Sequence, residues 1–164
     1  MTELDPERLL RTLVEHEVEF CVIGAVAAWL QGSPAVTIGL DVMPQRDLDN
    51  AERLAAALNS LNACAPGSET PLELEGADFL GWHTQRFDTG AGPLDVVPHA
   101  AAIGGFEEVA TIELALGDLS VRVITIDEVI ASKEKLARPK DTAALPALYA
   151  TREALRQRRS KTAD

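Results

Sequence analysis

Phe20-Cys21-Val22-Ile23-Gly24-Ala25-Val26-Ala27-Ala28-Trp29-Leu30-Gln31-Gly32-Ser33-Pro34 is the stretch on which the fold turns. Val18 to Ile23 is rich in β-branched and aromatic residues and has the length of a short buried strand. Gly24 breaks it. Ala25 to Gln31 reads as a small helix closed by Gly32, and Ser33-Pro34 opens a loop. A second strand follows over Gly39 to Met43, stopped by Pro44.

Outward from this unit, helix and strand patterns alternate. Pro6 to Glu17 places Leu9, Leu10, Leu13 and Val14 at helical spacing behind Asp5-Pro6, an N-cap with a first-turn proline. Leu48 to Leu61 is the clearest amphipathic helix, with Leu54, Ala57, Leu58 and Leu61 on one face. Asn62 to Ala77 reads as a surface loop. Trp82–Thr89 and Leu94–Val97 read as strands joined through Gly90-Ala91-Gly92-Pro93, and Val109–Leu116 and Val121–Ile124 as a hairpin over Gly117-Asp118. Asp127 is placed to cap a helix toward Leu136, Arg138-Pro139 interrupts it, and a last helix runs from about Asp141 into the tail. This order implies an α+β (mixed α/β) fold, a small mixed sheet flanked by helices, in one domain over 1–164.

With 164 residues and 46% apolar content, the chain can bury a core without staples. Two cysteines, Cys21 and Cys64, make neither a disulfide framework nor a four-ligand zinc site. The longest uncharged apolar run, Phe20 to Leu30, is too short to span a bilayer, and the acidic start carries no signal-peptide pattern; the expectation is a cytoplasmic protein without a membrane partner. The net charge of −11 excludes a bulk electrostatic binder of nucleic acid, yet it is unevenly spread. Residues 1–130 hold 6 basic and 22 acidic groups, or −16; residues 131–164 hold 9 and 4, or +5. That end is either a solvated helix or a phosphate-facing surface.

No triad, Walker loop or dinucleotide fingerprint is present, and His16, His83 and His99 lack ligand spacing. Gly32-Ser33 can form a nest of backbone N–H groups with a hydroxyl, suited to a phosphate, though the dipeptide is also an ordinary turn. Asp41 in Ile38-Gly39-Leu40-Asp41-Val42 and Asp95 in Pro93-Leu94-Asp95-Val96-Val97 are carboxylates inside apolar strands. Such groups need a cation or hydrogen bonds. Either they share a Mg²⁺ ion, which prefers hard oxygen ligands, or both point to solvent from strand edges.

Taken in order, Cys21-Val22-Ile23-Gly24-Ala25, Ala28, Gly32-Ser33-Pro34, Thr37, Leu40-Asp41-Val42, Asp49 to Leu54, Gly92-Pro93-Leu94-Asp95, Lys133 and Arg138-Pro139-Lys140-Asp141 resemble the polymerase-β-like nucleotidyltransferase superfamily. The resemblance is nearest to the minimal AbiEii/MenT-type toxins of bacterial toxin–antitoxin systems and spans about residues 18–148. It implies a cleft beside a small mixed sheet. Asp41 and Asp95 would bind Mg²⁺ and, with Lys133, form the catalytic group. Gly32, Ser33, Lys133, Lys140 and Asp141 would hold the NTP, Asp141 alternatively bracing its helix. The acceptor implied is the 3′ end of tRNA, whose modification blocks translation, and the partner a cognate antitoxin. The basic end, through Arg152, Arg156, Arg158 and Arg159, suits an RNA acceptor. Two positions depart from the pattern: Ala25 replaces a second glycine, and Gly39 replaces the first acid of Asp-Leu-Asp. The alternatives are a weakened enzyme, a binding module retaining the fold, or a transferase acting on a protein or small molecule.

Overall fold

The computed structural model describes residues 2–34 and 36–163. Met1, Ala35 and Asp164 lie outside it, so the acidic start is described from Thr2 and the basic end as far as Ala163. The opening helix α1 (Pro6–Glu15) is capped by Asp5, whose carboxylate accepts from the Arg8 N–H, and it buries Leu9, Leu10 and Leu13. Burying such a leucine contributes about 1.5–3 kcal/mol. The unit that decides the fold follows as β1 (Phe20–Ile23), α2 (Gly24–Leu30) and β2 (Leu40–Pro44). Then come α3 (Leu48–Ser60), a 3₁₀ turn at Gly76–Phe79, β3 (Gln85–Thr89), β4 (Gly92–Val96), a two-residue pair β5 (His99–Ala100) and β6 (Gly104–Gly105), β7 (Thr111–Leu116), β8 (Leu119–Ile124), α4 (Ile126–Leu136) and α5 (Pro139–Thr162).

Six strands form one mixed sheet in the order β3-β4-β2-β1-β8-β7. Antiparallel pairs join β1 to β2, β3 to β4 and β7 to β8; parallel pairs join β1 to β8 and β2 to β4. All four residues of β1 are buried, as a central strand covered on both faces requires. Cys21 is among them, and burial pushes its thiol up to about 12, leaving an inert packing residue.

Two buried amides lock the layers. The Gln31 side chain donates to the carbonyls of Ala27 and Ile124, both at 2.9 Å, and so ties the end of α2 to β8. The Asn50 side chain donates to the carbonyls of Glu19 (2.8 Å) and Gln45 (2.7 Å) and accepts from the Glu19 N–H at 2.7 Å, fixing the start of α3 to the adjoining ends of β1 and β2. The loop from Asn62 is more structured than its composition predicts. Cys64 bridges to Pro71 and Asp88, and the 3₁₀ turn packs on α3. Near the C-terminus, Thr125 rather than Asp127 caps α4, accepting from the Glu128 N–H. Arg138-Pro139 does separate the helix ending at Leu136 from the last one, and Pro139 itself opens α5, two residues ahead of Asp141, because a proline in the first turn of a helix forfeits no hydrogen bond. No described helix is long and apolar enough to cross a membrane.

Candidate active site

Leu40, Asp41 and Val42 on β2 stand opposite Leu94, Asp95 and Val96 on β4 in a parallel register. The two leucines and two valines are buried, so alternation turns Asp41 and Asp95 together onto the other face. Strand patterning alone allowed two solvent-facing acids; the register makes them a pair. Asp95 keeps 26% of its side chain exposed, and Arg86, its cross-strand partner on β3, lies 3.4 Å from it through Nε.

Asp41 lies deeper. Burial first, then the neighbouring Asp95 charge and hydrogen bond, raise its pKa to about 6 against the opposing pull of Lys133 and Arg86. Burial also raises Asp95, against Arg86 and its hydrogen bond with Asp41. Two close carboxylates that are costly to ionise together call for a cation.

Gly24 explains how the acid reaches this position. It sits at the β1–α2 junction with φ +68°, and a Cβ built there would lie 2.4 Å from Asp41 Oδ2. The Asp41 carboxylate occupies the space that a side chain at 24 would fill. Sequence reading took Gly24 as a strand breaker and as the first glycine of the family-like motif without linking it to Asp41; the signal was its place directly between an apolar strand and a small helix.

Beside α2 a cavity of about 310 Å³ is lined by Ala25, Ser33, Lys133, Lys140 and apolar residues of α4 and α5. The fold therefore brings Ser33, Lys133 and Lys140 together from three separate segments. Gly32 takes φ +103° in the turn that ends α2, and the Ser33 N–H donates to the Ala28 carbonyl at 3.0 Å. That N–H is spent on the helix end, which leaves the Ser33 side chain as the group facing the cavity.

Asp141 is fully buried. Its carboxylate accepts from Lys133 Nζ at 3.2 Å and from Arg138 Nε at 2.6 Å, and these two cations hold it well below the usual carboxylate range, Arg138 contributing most. The structure places Asp141 as the brace of Lys133 at the α4–α5 corner. Lys133 is half-buried and Lys135 exposed, as their phase on one helix requires.

The arginines lie elsewhere. Arg152 pairs with Asp127 at 3.5 Å and stacks on Tyr149, while Arg156, Arg158 and Arg159 lie farther along α5. At 1.5 Å per residue Arg156 is about 24 Å of helix beyond Lys140.

Gly39 stands just ahead of β2, opposite Pro93. A Cβ there would come within 3.3 Å of Pro93 Cβ and of the Pro93 carbonyl oxygen. Among the described residues no group of three or more His, Cys, Asp or Glu side chains gathers as a metal cage. Two carboxylates still fit Mg²⁺, which commonly binds one or two of them and completes its shell with water and substrate phosphate.

No family model and no curated protein matches the sequence. Solved structures do match. The antibiotic-resistance factor ANT(2'')-Ia is 15% identical, with a TM-score of 0.55 over 95% of this chain and 91% of its own. The lincosamide adenylyltransferase LnuA, solved with lincomycin bound, is 14% identical, with a TM-score of 0.59 over 92% and 99%. An antigenic nucleotidyltransferase-like protein from Paracoccidioides brasiliensis is 12% identical, with a TM-score of 0.56 over 88% and 77%. The register of β2 on β4, the α2 junction and these likenesses together identify the architecture as the nucleotidyltransferase fold.

Proposed function

We propose that this protein transfers a nucleoside monophosphate from an NTP to an acceptor hydroxyl, with Mg²⁺ held by Asp41 and Asp95. The observation that carries the reading is the in-register carboxylate pair beside a cavity lined by Ser33, Lys133 and Lys140. Lys133, positioned by Asp141, and Lys140 bind the phosphates. Ser33 supplies a hydroxyl to them at the end of α2. The acceptor oxygen forms a bond to the α-phosphorus, the bond from that phosphorus to the bridging oxygen breaks, and pyrophosphate leaves with the electron pair. Asp95, the more open of the two acids, takes the acceptor's proton. When bound, Mg²⁺ neutralises phosphate charge and orients the reacting oxygens.

The Arg-rich end of α5 favours an RNA acceptor, specifically the 3′ end of tRNA, with blocked translation as the consequence and a cognate antitoxin as the controlling partner in the cytoplasm. A second reading, a compact acceptor, is favoured by an acid-lined groove at the far end of β2 and β4. Gly39 favours a third, a weakened enzyme or binding module, since it leaves two carboxylates where the resemblance implies three.

Labelled NTPs incubated with Mg²⁺ and total RNA, total protein or small amine-bearing sugars separate these readings. We expect label on one acceptor class, reduced on the order of 10²–10³-fold in Asp41→Asn. Gly39→Asp should tighten Mg²⁺ binding and raise the rate, with Pro93 yielding a few tenths of an ångström. Label on no acceptor from either protein, with tighter metal binding in Gly39→Asp, would defeat the transferase reading and leave the binding module.

A further inference from the structure

Where β2 and β4 end, the chain builds a second cavity, of about 380 Å³, which the chemistry above does not use. Its floor is an aromatic platform. Trp82, just ahead of β3, is 64% exposed. One face of its ring is covered by the Arg46 guanidinium at 3.8 Å from the ring centre, and the His99 ring meets it edge-on at 6.3 Å. Arg46 also donates to the Leu80 carbonyl, so the guanidinium is held against the indole. An exposed indole fixed in this way is preorganised to receive a ring on its open side.

The charge around the platform is negative. Asp47, Glu107 and Glu108 line the cavity, against Arg46 as the one lysine or arginine among the described lining residues. Asp47 accepts from the Asn50 N–H and Glu108 from the Gly105 N–H, so both are fixed and remain acceptors. Residues 1–130, which build the whole groove, carry −16. A polyphosphate chain meets repulsion here, whereas an ammonium group meets three carboxylates. The cavity volume is that of a small-molecule site. At about 3.3 Å per residue, Gln45 lies about 13 Å beyond Asp41 along β2, and His99 about 13 Å beyond Asp95 along the β4 chain. The carboxylate pair thus lies within the length of two or three sugar rings of the groove, with the buried Met43 between them on β2.

We infer that the groove of Trp82, His99, Asp47 and Glu107 is a subsite for a compact, amine-bearing ring compound of the amino-sugar type, stacked on the open face of Trp82 with its ammonium groups on the carboxylates. Its role as an acceptor subsite rests on the nucleotidyl-transfer reading; its ligand preference does not.

Binding is therefore measured without nucleotide or metal. In Trp29→Phe protein Trp82 is the sole indole. Kanamycin, a three-ring polyamine sugar, quenches its fluorescence, and the neutral maltotriose does not. Calorimetry on the full chain gives kanamycin an affinity that falls with salt, weakens roughly tenfold in Glu107→Gln, the loss of one charged hydrogen bond, and vanishes in Trp82→Ala. Trp82 and Glu107 are both exposed, so neither change threatens folding. Unchanged kanamycin affinity in Trp82→Ala, or maltotriose binding as tightly as kanamycin, overturns the inference. Quenching by a hexameric oligoadenylate but not by kanamycin also overturns it, in favour of a nucleic-acid face. If kanamycin binds as described and no NTP labels it, the ligand assignment stands and its acceptor role falls; loss of transfer to every other acceptor as well would defeat the transfer reading itself.

Discussion

Asp41 shows how a single glycine can set a site. Its carboxylate lies where a side chain at Gly24 would be, and Gly24 also holds a positive φ that L residues adopt only with strain. Gly24→Ala should cost about 1–3 kcal/mol of stability. The larger effect should be on function, because the new methyl group pushes Oδ2 away from its place beside Asp95. Mg²⁺ affinity, followed by calorimetry on the folded variant, is expected to drop more than the stability loss alone explains; unchanged affinity would remove Gly24 from the site. Asp41 also carries a pH signature. Its carboxyl titrates near 6 in the folded chain against an ordinary value of 3.8. Between those values the folded state holds a proton that the unfolded state has shed, so this contribution to stability is present at low pH and lost as pH rises from about 4 through 6. In chelator, Asp41→Asn should melt above wild type at pH 7, by on the order of 2 kcal/mol in stability, and converge with it near pH 4. Adding Mg²⁺ should raise the wild type alone, since ligand binding to the folded state stabilises it. Melting curves in both conditions check the sign.

At the level of elements, α4 and α5 act as one device. Lys133 reaches the cavity because Asp141, buried at the first turn of α5, holds it from the side together with Arg138. Lys133→Ala should raise the NTP requirement about tenfold or more, the loss of a charged hydrogen bond to phosphate. Lys135→Ala, on the opposite helix face, should do little. Asp141→Asn should leave Lys133 present but unanchored, lowering both the melting temperature and nucleotide affinity, measured by thermal shift with and without NTP. Equal nucleotide affinity in the Asp141 variant would reduce the residue to a helix brace. Much of this was legible in the chain. Apolar periodicity located α1, α3 and the hairpin β7–β8, and the spacing from Lys133 to Lys140 singled out the lysine that lines the cavity with it. The edges were less so, because capping is decided by geometry: Thr125 lies one residue outside the helix it caps, and the break at Arg138-Pro139 was legible while the start of α5 at Pro139, two residues ahead of Asp141, was not. Cross-strand placement was least legible. Nothing local in Leu94-Asp95-Val96 says that it lies parallel to Leu40-Asp41-Val42, a pairing made by residues more than fifty apart. Trp82 and Arg46 likewise meet only because β3 begins on the side of the sheet where β2 ends.

For the whole molecule, charge is the property that decides which acceptor reaches the site. The acidic body and the basic end of α5 oppose each other, and the helix separates them by length rather than by a linker. Leu155 still packs on the core and Thr151 is buried, so the structural part of α5 extends to about residue 155. Beyond it Arg156, Arg158, Arg159 and Lys161 are all exposed and serve no packing purpose. Removing residues 156–164 should therefore preserve the fold, with a melting temperature close to that of the full chain, while making the molecule more acidic. If RNA is the acceptor, those four cations supply phosphate contacts. Labelling of RNA should then weaken in the truncated protein and lose much of its steep decline with salt, while NTP affinity at Lys133 and Lys140 stays the same. If a compact cation is the acceptor, the truncation removes competing positive charge, and its use should hold steady or improve at low ionic strength. Measuring both acceptors with both proteins from 50 to 200 mM salt, roughly the range over which polyphosphate contacts are lost, separates the two cases by what truncation does at low salt: it weakens labelling of RNA and leaves or improves use of the compact cation. A truncated protein that labels RNA with unchanged affinity and salt dependence would make the Arg-rich end of α5 a solvated helix terminus and nothing more.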